Sequence, residues 1–105
     1  MKLDSPEIVT SSLGRAKGLM FRKRLERGMI LVLPRKTRLN ASIHTFFMNF
    51  PIDVLFLDER KRVVDKALNV KPWTINITPK EPAKYVVELP AGSAEKVKIG
   101  EIVEW

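Results

Sequence analysis

The chain has no cysteine and one histidine among its 105 residues. Without cysteine there is no disulfide framework, no thiolate-ligated metal and no cysteine nucleophile. One histidine in such a chain gives no ligand cluster at a recognised spacing, so no metal and no cofactor are expected. The phosphate-cradling patterns G-x-x-x-x-G-K-[ST] and G-x-G-x-x-G are both missing, and so is the G-x-S-x-G of serine hydrolases. No window approaches the ~20 apolar residues that a membrane span needs. Met1-Lys2-Leu3-Asp4-Ser5-Pro6 lacks the apolar stretch of a signal peptide. The expectation is therefore a cytoplasmic protein with no membrane partner. No repeat, low-complexity tract or linker divides the sequence. It reads as a single domain over residues 1–105, with 1–11 as an extended N-terminal segment.

Hydrophobic residues make up 45% and charged residues 30%, which describes a globular chain. The net charge is +7 and is unevenly placed. Arg15, Lys17, Arg22, Lys23, Arg24, Arg27, Arg35, Lys36 and Arg38 face a single acid, Glu26, within that stretch. The remainder of the chain is close to neutral. Such a concentration suggests a polyanion-facing surface, against the plainer reading of a solvated basic face.

Leu13 to Arg24 predicts a short helix capped by Ser12, with Leu13, Ala16, Leu19 and Met20 on one apolar stripe. Gly18 inside it points to close packing or an early helix end. Gly28-Met29-Ile30-Leu31-Val32-Leu33-Pro34 is an apolar run bounded by Gly and Pro, as in a strand buried on both faces. Ala41–Met48 reads as a second strand, Ile52–Leu57 as a third and Arg62–Val70 as a fourth. The polar tetrapeptide Asp58-Glu59-Arg60-Lys61 makes the hairpin between the last two. Pro72, Pro79 and Pro82 keep residues 71–82 out of a central strand, although Ile75 and Ile77 could form a short edge pairing. Lys84–Leu89 alternates, with Tyr85, Val87 and Leu89 on one face and Val86 and Glu88 on the other. Ser93 to Lys98 predicts one helical turn, and Glu101–Glu104 a last short strand. The fold class is thus mostly β, a β-rich α+β chain. It would be a compact, largely antiparallel sheet or small barrel of about six strands with two short helices.

Six residues stand out as binding candidates. His44 can act as acid or base if a partner orients it, and Asp53 is one such partner. Otherwise His44 is a half-buried histidine bonded to backbone. Asp53 interrupts an apolar run, so its charge must find a cation, for which Arg22 is the candidate, or several N–H donors. Glu88 also lies inside an apolar strand. It either faces outward or pairs with Asp53 for acid–base work. Trp73, in the proline-rich loop, is the best candidate for an exposed aromatic, whereas Phe46, Phe47 and Phe50 are assigned to core. Arg22 and Asp53 would sit together at one end of the barrel and line a small pocket with His44 or Asn49. No catalytic residue is assigned.

Several segments, in order, resemble one family, domain-of-unknown-function family 192. They are Gly18-Leu19-Met20-Phe21-Arg22, Gly28 to Pro34, Phe47-Met48 followed by Pro51 to Asp58, Pro72-Trp73, and Tyr85 to Gly92 followed by Gly100-Glu101. The resemblance spans about Ser12 to Val103. It implies a small β-rich fold and no settled activity. The chain departs from the bacterial pattern, where Lys-Asn-Thr follows the Met. Here only Asn49-Phe50 separates Met48 from Pro51. Three functions follow as expectations: a non-catalytic module binding a small molecule or protein, a nucleic-acid or polyanion binder using Arg15–Arg38, and an enzyme using Asp53 and His44.

Overall fold

A computed structural model describes residues 1–105. Five strands form one sheet: β1 (Glu7–Val9), β2 (Met29–Thr37), β3 (Ile52–Leu57), β4 (Val63–Val70) and β5 (Ala83–Pro90). Their spatial order is β1-β2-β5-β3-β4. All neighbours are antiparallel except β1 and β2, which run parallel. One helix, α1 (Ser12–Lys17), and a 3-10 turn at Leu39–Ala41 complete the regular elements. No helix is long and apolar enough to cross a membrane.

The sheet separates two apolar layers, as the period-2 alternation of strand side chains requires. Met29, Leu31, Val54, Phe56 and Val86 pack on one face with Leu19 and Met48. Ile30, Leu55, Leu57, Val87 and Leu89 pack on the other with Ala94, Val97 and Val103. This explains the continuous apolar runs of β2 and β3. Every residue of β3 is buried.

The strands read from Gly28–Pro34, Ile52–Leu57, Arg62–Val70 and Lys84–Leu89 all form, with ends shifted by a few residues. Ala41–Met48 is not a strand. Its apolar spacing serves a winding cap, in which Ala41 and Met48 are buried against the first layer and only Ile43 makes a β-bridge, to Ile77. The stretch Glu101–Glu104 makes isolated bridges to Arg62 and Lys2 rather than a strand. Residues Ser93–Lys98 turn without forming a helix. Inside the N-terminal segment, Glu7–Val9 adds the parallel edge strand β1, which has too few residues to show a pattern. The sheet is open, with β1 and β4 as its edges.

The predicted helix is shorter than its apolar stripe. It ends at Gly18, whose φ of 48° is left-handed, and Ser11 rather than Ser12 caps it through Gly14 N–H (3.0 Å). Leu13 is exposed and only Leu19 reaches the core.

Asp53 lies within fully buried β3, on the face opposite Val54 and Phe56. Its carboxylate accepts three backbone N–H bonds, from Asn69 (2.8 Å), Gly92 (2.9 Å) and Ala94 (2.9 Å). It therefore ties the end of β4 and the turn after β5 to the central strand. Asp53→Ala would leave the buried Ala94 N–H and the partly buried N–H groups of Asn69 and Gly92 without their acceptor and cost about 2 kcal/mol or more, whereas Asp53→Asn, which keeps one acceptor oxygen, would lose less. Chemical denaturation of the two variants measures this ordering.

Candidate functional site

The starts of β2 and β3 and the ends of β4 and β5 lie at one end of the sheet, because Ile52 pairs with both Val70 and Pro90 and Met29 pairs with Glu88. Three connections therefore meet there: residues 18–28, 42–51 and 71–82. Thr45, fully buried, joins the second to the third. Its hydroxyl donates to Lys71 O (2.7 Å) and accepts from Thr74 N–H (2.8 Å), and its carbonyl accepts from Trp73 N–H (2.8 Å). The first connection is fixed to the second by Phe21 N–H on Phe47 O (2.9 Å) and by Asn49 Nδ2 on Arg22 O (2.9 Å).

These bonds bring three aromatic rings together at the surface. Phe21 and Phe47 have centroids 5.0 Å apart, and Phe47 and Trp73 are 4.8 Å apart. They are 66%, 44% and 57% exposed respectively. Phe46 and His44 continue the row inward, at 6.0 Å from Trp73 to Phe46 and 4.9 Å from Phe46 to His44. All three exposed rings stand on left-handed backbone, with φ of 65° at Phe21, 59° at Phe47 and 65° at Trp73. Bulky residues rarely adopt that conformation, and each instance costs on the order of 1–3 kcal/mol. The sequence pattern assigns Phe47 to core. It is exposed because its segment turns instead of forming a strand. Nothing in the apolar pattern marked Phe21 or Phe47 as exposed, or Thr45 as the residue between the loops.

Arg22 does not meet Asp53. It makes a bidentate pair with Glu7 of β1, at 2.6 and 2.7 Å, and this pair holds the Glu7 carboxyl below its usual range. Asp53 makes its bonds on the face of β3 opposite the one that Arg22 covers. The expected pocket of Arg22 and Asp53 with His44 or Asn49 therefore does not form. Only Arg22 and Asn49 are joined. His44 Nδ1 accepts from Phe46 N–H (3.1 Å), a backbone contact, and no hydrogen bond links it to Asp53. The geometry needed for an Asp53–His44 acid–base pair is thus missing.

Glu88 is not outward-facing. It is 4% exposed and lies on the layer shared with Val86, so it and Asp53 point to opposite faces of the sheet and cannot act as a pair. It makes no ion pair. A Cβ built on Gly18 would come within 3.6 Å of its Oε1, so the loop closes over the carboxyl. Burial pushes Glu88 up to about 7, and the positive charge of Arg22 opposes the shift in part.

The nine cations of the Arg15–Arg38 stretch do not share one face. Arg35, Lys36 and Arg38 sit at or beyond the far end of β2, roughly 25 Å from its start at 3.3 Å per residue. Lys36 pairs there with Glu59 (3.4 Å), and Arg38 donates to Pro79 O (3.0 Å). Arg15 donates to Val32 O (3.2 Å), partway along β2, and Lys17, Arg22, Lys23, Arg24 and Arg27 precede the strand. Residues 22–27 line a shallow cleft of about 370 Å³ with Glu7. Lys23, Arg24 and Leu25 also line a second, of about 290 Å³, with Phe50, Pro51, Pro90 and Ala91.

A family described as uncharacterised ACR, DUF192, matches residues 4–105. A UPF0127 protein of Pyrococcus horikoshii is 47% identical over 100 residues, which are 93% of this chain and 84% of that protein. A protein of unknown function from Novosphingobium aromaticivorans has a similar solved structure, with a TM-score of 0.87 at 30% identity over 95% of this chain and 74% of that one. A second similar structure, from Sinorhizobium meliloti, is described as a candidate transcription regulator. It has a TM-score of 0.82 at 25% identity over 90% of this chain and 75% of its own.

The pH dependence of stability follows from Glu88. Its folded pKa lies above the ordinary carboxylate value, so between pH 4.5 and about 7 the folded chain holds more protons than the unfolded one. Stability therefore falls as pH rises through that window. Glu7 acts in the opposite sense, and its contribution is lost as pH drops below the carboxylate range. Thermal denaturation should show Glu88→Gln flattening the decline between pH 5 and 7.5 and raising stability at pH 8, by up to about 3 kcal/mol. An unchanged decline would mean that Glu88 does not carry it.

Proposed function

The chain belongs to the DUF192 family of uncharacterised proteins, and on that footing we propose that it is a binding module without catalytic machinery of its own. Its recognition surface is the aromatic row Phe21, Phe47 and Trp73 at one end of the sheet. One observation carries the reading: three large apolar side chains are both exposed and held on left-handed backbone. Folding alone gains little from such residues. Each ring leaves 44–66% of its surface in solvent, and the backbone strain works against stability. Glycine would satisfy the same backbone without strain. Rings kept there at a cost serve contact with something outside the chain.

The surroundings define the ligand's chemistry. It has an apolar, flat part to lie on the rings and negative charge to meet Lys17, Lys23 and Lys71 beside them in sequence. Arg22 and Asn49 act as positioning residues, since their bonds fix the loop carrying Phe21 to the loop carrying Phe47.

Anilinonaphthalene sulfonate combines fused rings with one anionic group and is a suitable probe. The folded protein should bind it saturably, and Phe21→Gly and Trp73→Gly should each weaken binding about tenfold. Both variants should keep a cooperative melt, with stability changed by no more than about 1 kcal/mol because relief of strain offsets the lost contact. Dye binding unaffected by both substitutions would overturn the proposal, as would a loss of several kcal/mol showing that the rings hold the fold.

A further inference from the structure

We infer that the ligand of this surface is single-stranded nucleic acid. The inference rests on the aromatic row being a binding surface and adds the class of molecule it takes. Its first support is the charge around the rings. No acidic residue occurs between Glu7 and Glu26, between Glu26 and Asp53, or between Asp65 and Glu81. The ring-bearing parts of the three connections, residues 18–25, 42–51 and 71–80, lie within these acid-free stretches. Of the acids that bound these stretches, Glu81 is exposed and makes no ion pair, and the others are occupied or enclosed. Glu7 is paired with Arg22, Glu26 with Arg24 at 2.7 Å, and Asp53 and Glu88 are buried. Lys17, Lys23, Arg27 and Lys71 are exposed and make no ion pair. The connections that carry Phe21 and Trp73 therefore also carry exposed, uncompensated positive charge, which suits a phosphate backbone.

The second support is the form of the surface. Side chains from three loops place three rings in a row, with steps of 5.0 and 4.8 Å. Every base has a π-face, so a row of exposed rings next to cations accepts successive bases with little regard to sequence. A duplex keeps its bases stacked on each other and offers only its backbone and groove edges. It could use the lysines but not the rings. The preference for single strands is thus a property that the lysines alone would not produce. A neutral protein partner would use the rings and leave the lysines idle.

Fluorescence anisotropy with labelled 12-nucleotide oligo-dT and oligo-rU, and with a duplex of the same length, tests the inference at 50 and 150 mM salt. Single strands should bind in the micromolar range or tighter at the higher salt, and at least tenfold more tightly than duplex. The oligo-dT and oligo-rU arms separate DNA from RNA as the source. Trp73→Ala should weaken single-strand binding about tenfold. Phe47→Leu, which keeps apolar bulk but removes the ring, should weaken it less. Lys23→Gln should weaken binding without altering the preference for single strands, and should flatten the plot of log K against log salt by about 0.7. Equal binding of duplex and single strand, with Trp73→Ala inert, would reduce the surface to a charge effect and overturn the inference. Dye binding that depends on the rings, without oligonucleotide binding, would remove nucleic acid and leave the binding surface standing. Failure of both would remove both.

Discussion

Asp53 carries a carboxylate in the one strand that is buried along its whole length, and much of the site end of the fold is arranged around satisfying it. An unpaired charge there would be too costly for a domain whose total stability is on the order of 10 kcal/mol. Three backbone N–H groups supply the solution. Two come from the turn after β5 and one from the end of β4, so a local electrostatic requirement also fixes where two strands stop. The same end of the sheet then receives the loops before β2 and β3 and after β4. The carboxylate belongs to the frame of the site, on the opposite face of the sheet from Arg22 and Glu88.

On that frame, the cost of the structure is concentrated at one end. Phe21, Phe47 and Trp73 are three of the six non-glycine residues with positive φ. Glu88, buried and without an ion-pair partner, lies under the loop that carries Phe21. Thr45 and Asn49 hold the loops in the conformation that produces the strain. Strained backbone persists only where the surroundings over-determine it, and here side chain to main chain bonds from Thr45 and Asn49 do so. The opposite end of the sheet is built differently. Trp105 packs on Tyr85 at 5.0 Å and beneath Lys61 Nζ at 3.8 Å, an aromatic contact made within the fold.

The strands were legible where burial was two-sided. Met29–Leu33 and Ile52–Leu57 are continuous apolar runs, and both faces of each are covered. The alternation in β5 correctly placed Val86 and Glu88 on one face, but alternation cannot say whether that face is covered. Leu19, Gly18 and the arginine loop cover it, and none of them is near Glu88 in sequence. The segment Ala41–Met48 failed for a related reason. Alternate apolar residues signal one buried side, and a cap lying across a sheet has one buried side just as a strand has. The need of Thr45 to bond Lys71 and Thr74, 26 and 29 residues away, decided between them. The acid–base pairings failed because both relied on sequence proximity or similar strand context, and neither fixes which face of the sheet a side chain takes.

By itself the sequence determined the β-rich class, the central strands, the absence of thiol chemistry and the family, because each depends on composition, local pattern or ordered motifs. It also marked Arg22, Asp53 and Glu88 as polar residues that core packing does not call for, and Trp73 as an aromatic candidate for exposure. Only the tertiary structure decided what they do. It gave Arg22 to Glu7, gave Asp53 three main-chain donors, closed the loop over Glu88, and split the basic stretch between the two ends of β2. It also placed Phe21 and Phe47 beside Trp73 in the open. The physical reason is that partnership and exposure are set by chain segments that meet across the sheet, and local sequence carries no record of which segments those are.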